Sequence, residues 1–227
     1  MRHYTAQIIA AVLLVLCTVT ASHAKDPLRI LILGDSFMTS HSQAKQSVAH
    51  HLEKAFGAYV KNRAITGARY RYFLPITGAL GLNISKQYRE GPWDWVIING
   101  GGNDMWMGCG CTKCARRMDK LISADGTGGD IPTLVAKARR SGAKVAYVGY
   151  LRSPGTWSPI EHCKDEGDTL EARIAAMAQR DHGVIFISLA DLVPTGDKSF
   201  HAADMIHPSV KGTRAAADRI AQVLKRH

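Results

Sequence analysis

Leu28-Arg29-Ile30-Leu31-Ile32-Leu33-Gly34-Asp35-Ser36 is a short, nearly continuous apolar run that stops at a glycine. It predicts a strand buried on both faces, followed by a sharp turn that carries a serine. The same signature recurs along the chain. Ala58 to Lys61 predicts a second strand, Trp95 to Asn99 a third, Lys144 to Val148 a fourth and Val184 to Ile187 a fifth. Helical patterns alternate with them. Gln43 to Phe56 carries a stripe of Ala44, Val48, Leu52 and Ala55 with Gly57 as its stop. Ile131 to Ser141 has Pro132 in its first turn. Leu170, Ile174, Met177 and Ala178 mark another helix. A last helix is capped by Ser209, with Val210, Ala217, Ile220, Ala221 and Leu224 on its stripe. Pro75, Gly78, Gly81 and Pro92 leave 68–92 without a pattern. Strands alternating with helices predict an α/β fold, a central parallel sheet of about five strands in a three-layer α/β/α sandwich. In such sheets ligands bind outside the carboxyl ends of the strands.

Composition sets the frame. The 227 residues are 46% hydrophobic and 21% charged, which excludes a disordered chain and a multi-span membrane protein. Arg2, the apolar run Ile8 to Val19 and Ser22-His23-Ala24 read as a signal peptide cleaved after Ala24, leaving 25–227 as one domain, exported to the periplasm or beyond. The apolar run is too short to span a bilayer, so no transmembrane segment is expected in the mature chain. Cys17 follows Leu16 rather than a small residue, which argues against a lipoprotein. Removing Arg2 with the leader lowers the charge from +10 to +9. That balance leans toward an anionic substrate or surface. With no Lys/Arg block interleaved with aromatics, nucleic acid is not an expected partner.

Four cysteines remain, Cys109, Cys111, Cys114 and Cys163, three of them in a Cys-rich insertion at about 105–128. An even number in an exported chain predicts two disulfides. Cys111 and Cys114, with two residues between them, can pair locally, which leaves Cys109 for Cys163; Cys109–Cys114 with Cys111–Cys163 is the alternative. Four thiolates also suit zinc, but the C-x-C-x-x-C spacing is unlike separated C-x-x-C knuckles, so no metal is expected; with no G-x-G-x-x-G or P-loop pattern in the chain, no organic cofactor is expected either.

Four segments carry chemistry. Ser36 follows the first strand; a serine hydroxyl needs a neighbouring base to become a nucleophile. Asp204-Met205-Ile206-His207-Pro208 offers one: a histidine titrates near neutrality, and an aspartate three residues before it can hold one ring nitrogen in the same turn. Gly100-Gly101-Gly102-Asn103-Asp104 follows the third strand, where the Asn103 amide can donate to an oxyanion. Asn62-Arg63-Ala64-Ile65-Thr66-Gly67 follows the second, with Gly67 free of a side chain. Each segment alone also reads as an ordinary turn. Tyr70-Arg71-Tyr72-Phe73 reads as packing rather than substrate contact.

In their order, Gly34-Asp35-Ser36, Asn62 to Gly67, Gly101-Gly102-Asn103-Asp104 and Asp204-x-x-His207-Pro208 resemble the conserved blocks of the SGNH, or GDSL, hydrolases, from Leu28 to Leu224. The resemblance implies a flavodoxin-like α/β/α fold and ester hydrolysis through an acyl-enzyme. It implies Ser36 as nucleophile, His207 as base and Asp204 as its orienting acid. Ser36 N–H, Gly67 N–H and the Asn103 side chain would form the oxyanion hole. Phe37 stands where the family often has leucine, and Met38 excludes the G-x-S-x-G elbow of ordinary α/β-hydrolases. The Cys-rich insertion has no counterpart in the family pattern and is expected beside the cleft. An acyltransferase to an envelope glycan would use the same triad, and a non-catalytic binder of anionic glycan is a third reading of the same fold. Substrates in view are esters, including anionic glycans and lipids.

Overall fold

A computed structural model describes residues 26–72 and 80–227. The leader, Cys17, Phe73, Pro75 and Gly78 lie outside the described residues. Five strands, β1 (Arg29–Leu33), β2 (Tyr59–Asn62), β3 (Trp95–Asn99), β4 (Lys144–Val148) and β5 (Val184–Ile187), form one sheet in the order β2-β1-β3-β4-β5, every pair parallel. The expected strands are all present, with β1 and β2 each starting one residue later than the pattern suggests.

The apolar runs are continuous because both faces of the sheet are covered. Successive side chains of a strand point to opposite faces. Ile30 and Ile32 pack with Trp95, Ile97, Ala146 and Val148 on one face. Leu31 and Leu33 pack with Val96, Ile98, Val145 and Tyr147 on the other. Ile30 to Leu33 are fully buried, each worth about 1.5–3 kcal/mol of transfer free energy. Helices α1 (Ser36–Thr39), α2 (Val48–Phe56) and α7 (Val210–Leu224) cover the first face. Helices α3 (Gly102–Cys109), α4 (Ala115–Leu121), α5 (Asp130–Arg140) and α6 (Lys164–Ala178) cover the second.

Two helical expectations need correction. Helix α2 starts at Val48, not Gln43, because the chain turns through left-handed backbone at His41 and Lys45 before Ser47 opens the helix. Its buried stripe is Val48, Ala49 and Leu52, with Ala44 and Ala55 exposed. In α7 the capping by Ser209 holds, its Oγ accepting from Gly212 N–H at 3.1 Å, but Val210 faces outward and is 43% exposed. The Cys-rich stretch overlaps α3 and contains α4, so β3 and β4 are separated by three helices in succession.

The strand order places a topological switch at β1 and β3. From there the chain steps out to β2 on one side and to β4 and β5 on the other. Crevices outside the carboxyl ends of strands form at such points.

Candidate active site

β1 delivers Ser36 to that crevice through a tightly held turn. Gly34 has φ +153°, and a Cβ there would lie 2.7 Å from the Asn99 carbonyl oxygen of β3, so only glycine fits. The Gln87 side chain brackets it: Gly34 N–H donates to Gln87 Oε1 at 2.8 Å, and Gln87 Nε2 donates back to Gly34 O at 2.8 Å. Asp35 then caps α1, its Oδ1 accepting from Phe37 N–H at 3.0 Å. Its Oδ2 accepts from the Tyr150 hydroxyl at 2.6 Å. Burial pushes the Asp35 carboxyl up, against the pull of these two donors and of nearby His207. The Tyr150 oxygen also accepts from Gly102 N–H at 3.3 Å. One phenol from the end of β4 thus ties the turn after β1 to the start of α3. Ser36 is the first residue of α1; its carbonyl accepts from the Thr39 and Ser40 hydroxyls, while its own Oγ has no partner among the described residues.

His207 comes from a loop folded on itself just before α7. Its Nδ1 donates to Asp204 Oδ2 at 2.6 Å, which leaves Nε2 as the free ring nitrogen. Asp204 Oδ1 accepts from the N–H groups of Ile206 and His207, both at 3.0 Å. Burial raises the Asp204 carboxyl, but the His207 ring and these N–H donors outweigh it and hold the group below the usual carboxylate range. The loop is pinned from outside. Ser158 Oγ donates to Met205 O at 2.9 Å, beside the left-handed Met205. His41 Nε2 donates to Pro208 O at 3.0 Å, joining the segment after α1 to the histidine loop.

Asn103 enters from α3. Its Nδ2 donates to Ala68 O at 3.1 Å, which uses one of two amide hydrogens. Gly67, at φ +78°, precedes that carbonyl, and its own N–H has no partner among the described residues. Ser36, Asn103 and His207 line one cavity of about 280 Å³, together with Trp106, Leu151 and Cys163. Gly67 is not among the residues that line it, but its neighbours tie it to the site: Ala68 accepts from Asn103, and Thr66 Oγ1 lies 2.9 Å from Thr39 Oγ1 of α1. No hydrogen bond joins Ser36 Oγ to His207, in keeping with the loose geometry common in unliganded hydrolases.

The disulfides are Cys109–Cys114 and Cys111–Cys163, with Cα separations of 5.4 and 5.0 Å. The local Cys111–Cys114 pairing fails because the chain reverses through left-handed Gly110 and Cys111. That reversal brings the start of α4 against the end of α3 and turns Cys111 toward the start of α6. His162 lies with Cys111 and Cys163 as a potential ligand group, but both sulfurs are committed to the disulfide and offer no thiolate for zinc. Cys163 lines the cavity, so this bridge fixes part of its rim.

Sequence reasoning missed Gln87 and Tyr150. Gln87 lies in the segment without a pattern, and an isolated glutamine carries no signal. Tyr150 follows a strand, a position that marks the site edge of such a sheet, so the end of β4 was its only available signal.

Fold and site define a flavodoxin-like α/β/α protein whose serine, asparagine and histidine segments meet at the carboxyl edge of the sheet. Residues 32–215 match the GDSL-like lipase/acylhydrolase family, and the chain belongs to it. Similar folds include a GDSL-like lipase from Bacteroides thetaiotaomicron, 17% identical, TM-score 0.58, covering 87% of this chain and 88% of that one. Another is Est24, a carbohydrate acetylesterase from Sinorhizobium meliloti, 17% identical, TM-score 0.54, covering 88% and 99%. A carbohydrate esterase family 2 enzyme from Corynascus thermopiles is also 17% identical, TM-score 0.60, covering 88% and 66%. No curated protein sequence gives a significant match.

Proposed function

We propose that this family member is an exported serine hydrolase that cleaves carboxylic esters through an acyl-enzyme. The carrying observation is the 2.6 Å Asp204–His207 contact, with Ser36 and Asn103 on the same cavity wall as the imidazole.

In this reading His207 Nε2 takes the Ser36 proton as the hydroxyl attacks the acyl carbon. Asp204 holds the ring in the tautomer that leaves Nε2 unprotonated, and steadies the imidazolium that forms. The negative charge on the tetrahedral oxygen is met by N–H donors at Ser36 and Gly67 and by the second Asn103 amide hydrogen. His207 returns its proton to the leaving alcohol. A water then attacks the acyl-enzyme, with His207 again as base, and Ser36 is regenerated. No step requires a metal or organic cofactor.

Export rests on the reading of residues 1–24 as a leader and on the two disulfides, which suit an oxidising compartment. Among the described residues no helix is long and apolar enough to cross a membrane.

The test is hydrolysis of p-nitrophenyl esters from acetate to long chains, by the mature protein and by Ser36→Ala. The account expects turnover that drops on the order of 10⁴-fold in the variant. Equal rates in the two proteins would reject Ser36 as nucleophile.

A further inference from the structure

A second groove, of about 390 Å³, lies at the far end of α3 and has no part in the chemistry above. Arg71, Tyr72, Lys113, Arg116, Arg117 and Lys120 line it, with no carboxylate on its wall. Lys113, Arg116, Arg117 and Lys120 follow one another at intervals of three, one and three residues. Arg116, Arg117 and Lys120 lie on α4, away from the buried Met118 and Leu121, and Lys113 joins them from the turn just before the helix. Arg71 is paired with Asp130 at 2.7 Å. The other four make no ion pair among the described residues, where Asp119 of the same helix pairs instead with Arg173. All nineteen Asp and Glu of the chain lie within the described residues, so no other side chain can neutralise them. The buried Asp104 feels Arg117 but is occupied by the N–H groups of Tyr70 and Arg71. Arg69 adds a cation against the Tyr72 ring, 4.2 Å from its centre.

Like charges gathered on one groove wall repel each other, and a concave cluster of this kind raises the local concentration of anions. The groove is also coupled to the catalytic edge. The Tyr72 hydroxyl donates to the Gly67 carbonyl. Cys109, on the groove wall, is six residues along α3 from Asn103, about 9 Å at the helical rise.

We propose that this groove binds a segment of acidic polysaccharide, with repeating carboxylates against Lys113, Arg116, Arg117 and Lys120, while an acyl group on the same strand reaches Ser36. The inference rests on the esterase reading and names its substrate class. A row of cations calls for repeating anions rather than a single headgroup. Acylated sugar hydroxyls are carboxylic esters, which nucleic acids lack, and among the described residues Tyr72 is the one aromatic ring on the wall for a base to stack on.

Binding separates this proposal from catalysis. Unacylated polygalacturonate is titrated calorimetrically into Ser36→Ala protein, and into the same protein carrying Lys113→Ser, Arg116→Ser and Lys120→Ser. All three side chains are exposed, and circular dichroism with thermal melting checks that the fold is kept. The expected result is saturable binding that weakens with added salt and falls about tenfold or more in the triple variant. Arg116→Lys, which keeps the charge, should restore part of it. Binding no better than that of neutral dextran, or unchanged in the triple variant, overturns the proposal. So does tighter binding to single-stranded DNA or to phosphatidylglycerol vesicles. The ester assay on small substrates reads the catalytic proposal without the polymer, so either can fail alone.

Discussion

Tyr150→Phe removes one oxygen and tests how the fold holds the turn that carries Ser36. The phenol donates to buried Asp35 at 2.6 Å and accepts from Gly102 N–H at 3.3 Å. Without it, Asp35 Oδ2 loses its donor and the first residue of α3 loses its acceptor. A hydrogen bond to a charged group is worth about 1.5–3 kcal/mol, and an unpaired backbone donor adds about 1 kcal/mol. The expected loss is thus about 2–4 kcal/mol, or a fall in Tm of about 5–15 °C for a domain of this size. The Asp35 carboxyl, already pushed up by burial, would rise further once the Tyr150 bond that lowers it is gone. Since Asp35 also caps the turn that carries Ser36, kcat should fall by about tenfold to a hundredfold from misplacement. Urea denaturation gives the stability, and p-nitrophenyl acetate hydrolysis well below the transition gives kcat. A variant with unchanged Tm and unchanged kcat would refute the claim that Tyr150 joins the two loops.

Further outcomes follow from the same geometry. Asn103→Ala should lower kcat by about 10²–10³ through loss of one oxyanion donor, measured with the same ester; an unchanged kcat would remove Asn103 from the oxyanion hole. Replacing Cys111 and Cys163 by serine opens a loop of 52 residues and should cost about 4 kcal/mol, whereas opening the five-residue Cys109–Cys114 loop should cost about 2 kcal/mol by urea denaturation. Burial pushes the Asp104 carboxyl up to about 6 despite the N–H donors of Tyr70 and Arg71. Because its folded value exceeds the unfolded 3.8, the folded state holds the proton more firmly, so this group's contribution to stability is greatest below about pH 4 and declines through about pH 6, by about 2–3 kcal/mol. Asp104→Asn should remove that decline from the pH dependence of the unfolding free energy.

The strands were legible because β1, β3 and β4 are buried on both faces and even the edge strand β5 is apolar throughout, and continuous apolar runs such as Ile30 to Leu33 have few alternative readings. Gly34, Gly57 and Ser209 were readable as punctuation for the same reason: each answers a local backbone demand. Helix faces were less readable. Alanine stripes carry little hydrophobic contrast, so the sequence pattern favours Ala44 and Ala55 while Ala49 is the alanine that is buried. The cysteine pairing depended on the reversal at Gly110 and Cys111, which spacing does not encode. The candidate site residues stand out by type and place, Ser36, Gly67 and Asn103 in segments after strands and Asp204 with His207 ahead of the last helix. Their supports did not: Gln87, Tyr150 and His41 act across 53, 115 and 167 residues of sequence. Such contacts exist only once the sheet has formed.

The central claim is that Ser36 is a nucleophile activated by His207. A fluorophosphonate that reacts only with activated serines, followed by peptide mass spectrometry, tests it without knowledge of the substrate. The account predicts a single stoichiometric adduct on the peptide carrying Ser36, abolished by Ser36→Ala and strongly slowed by His207→Ala. A folded protein that stays unlabelled, or labels elsewhere, would contradict it.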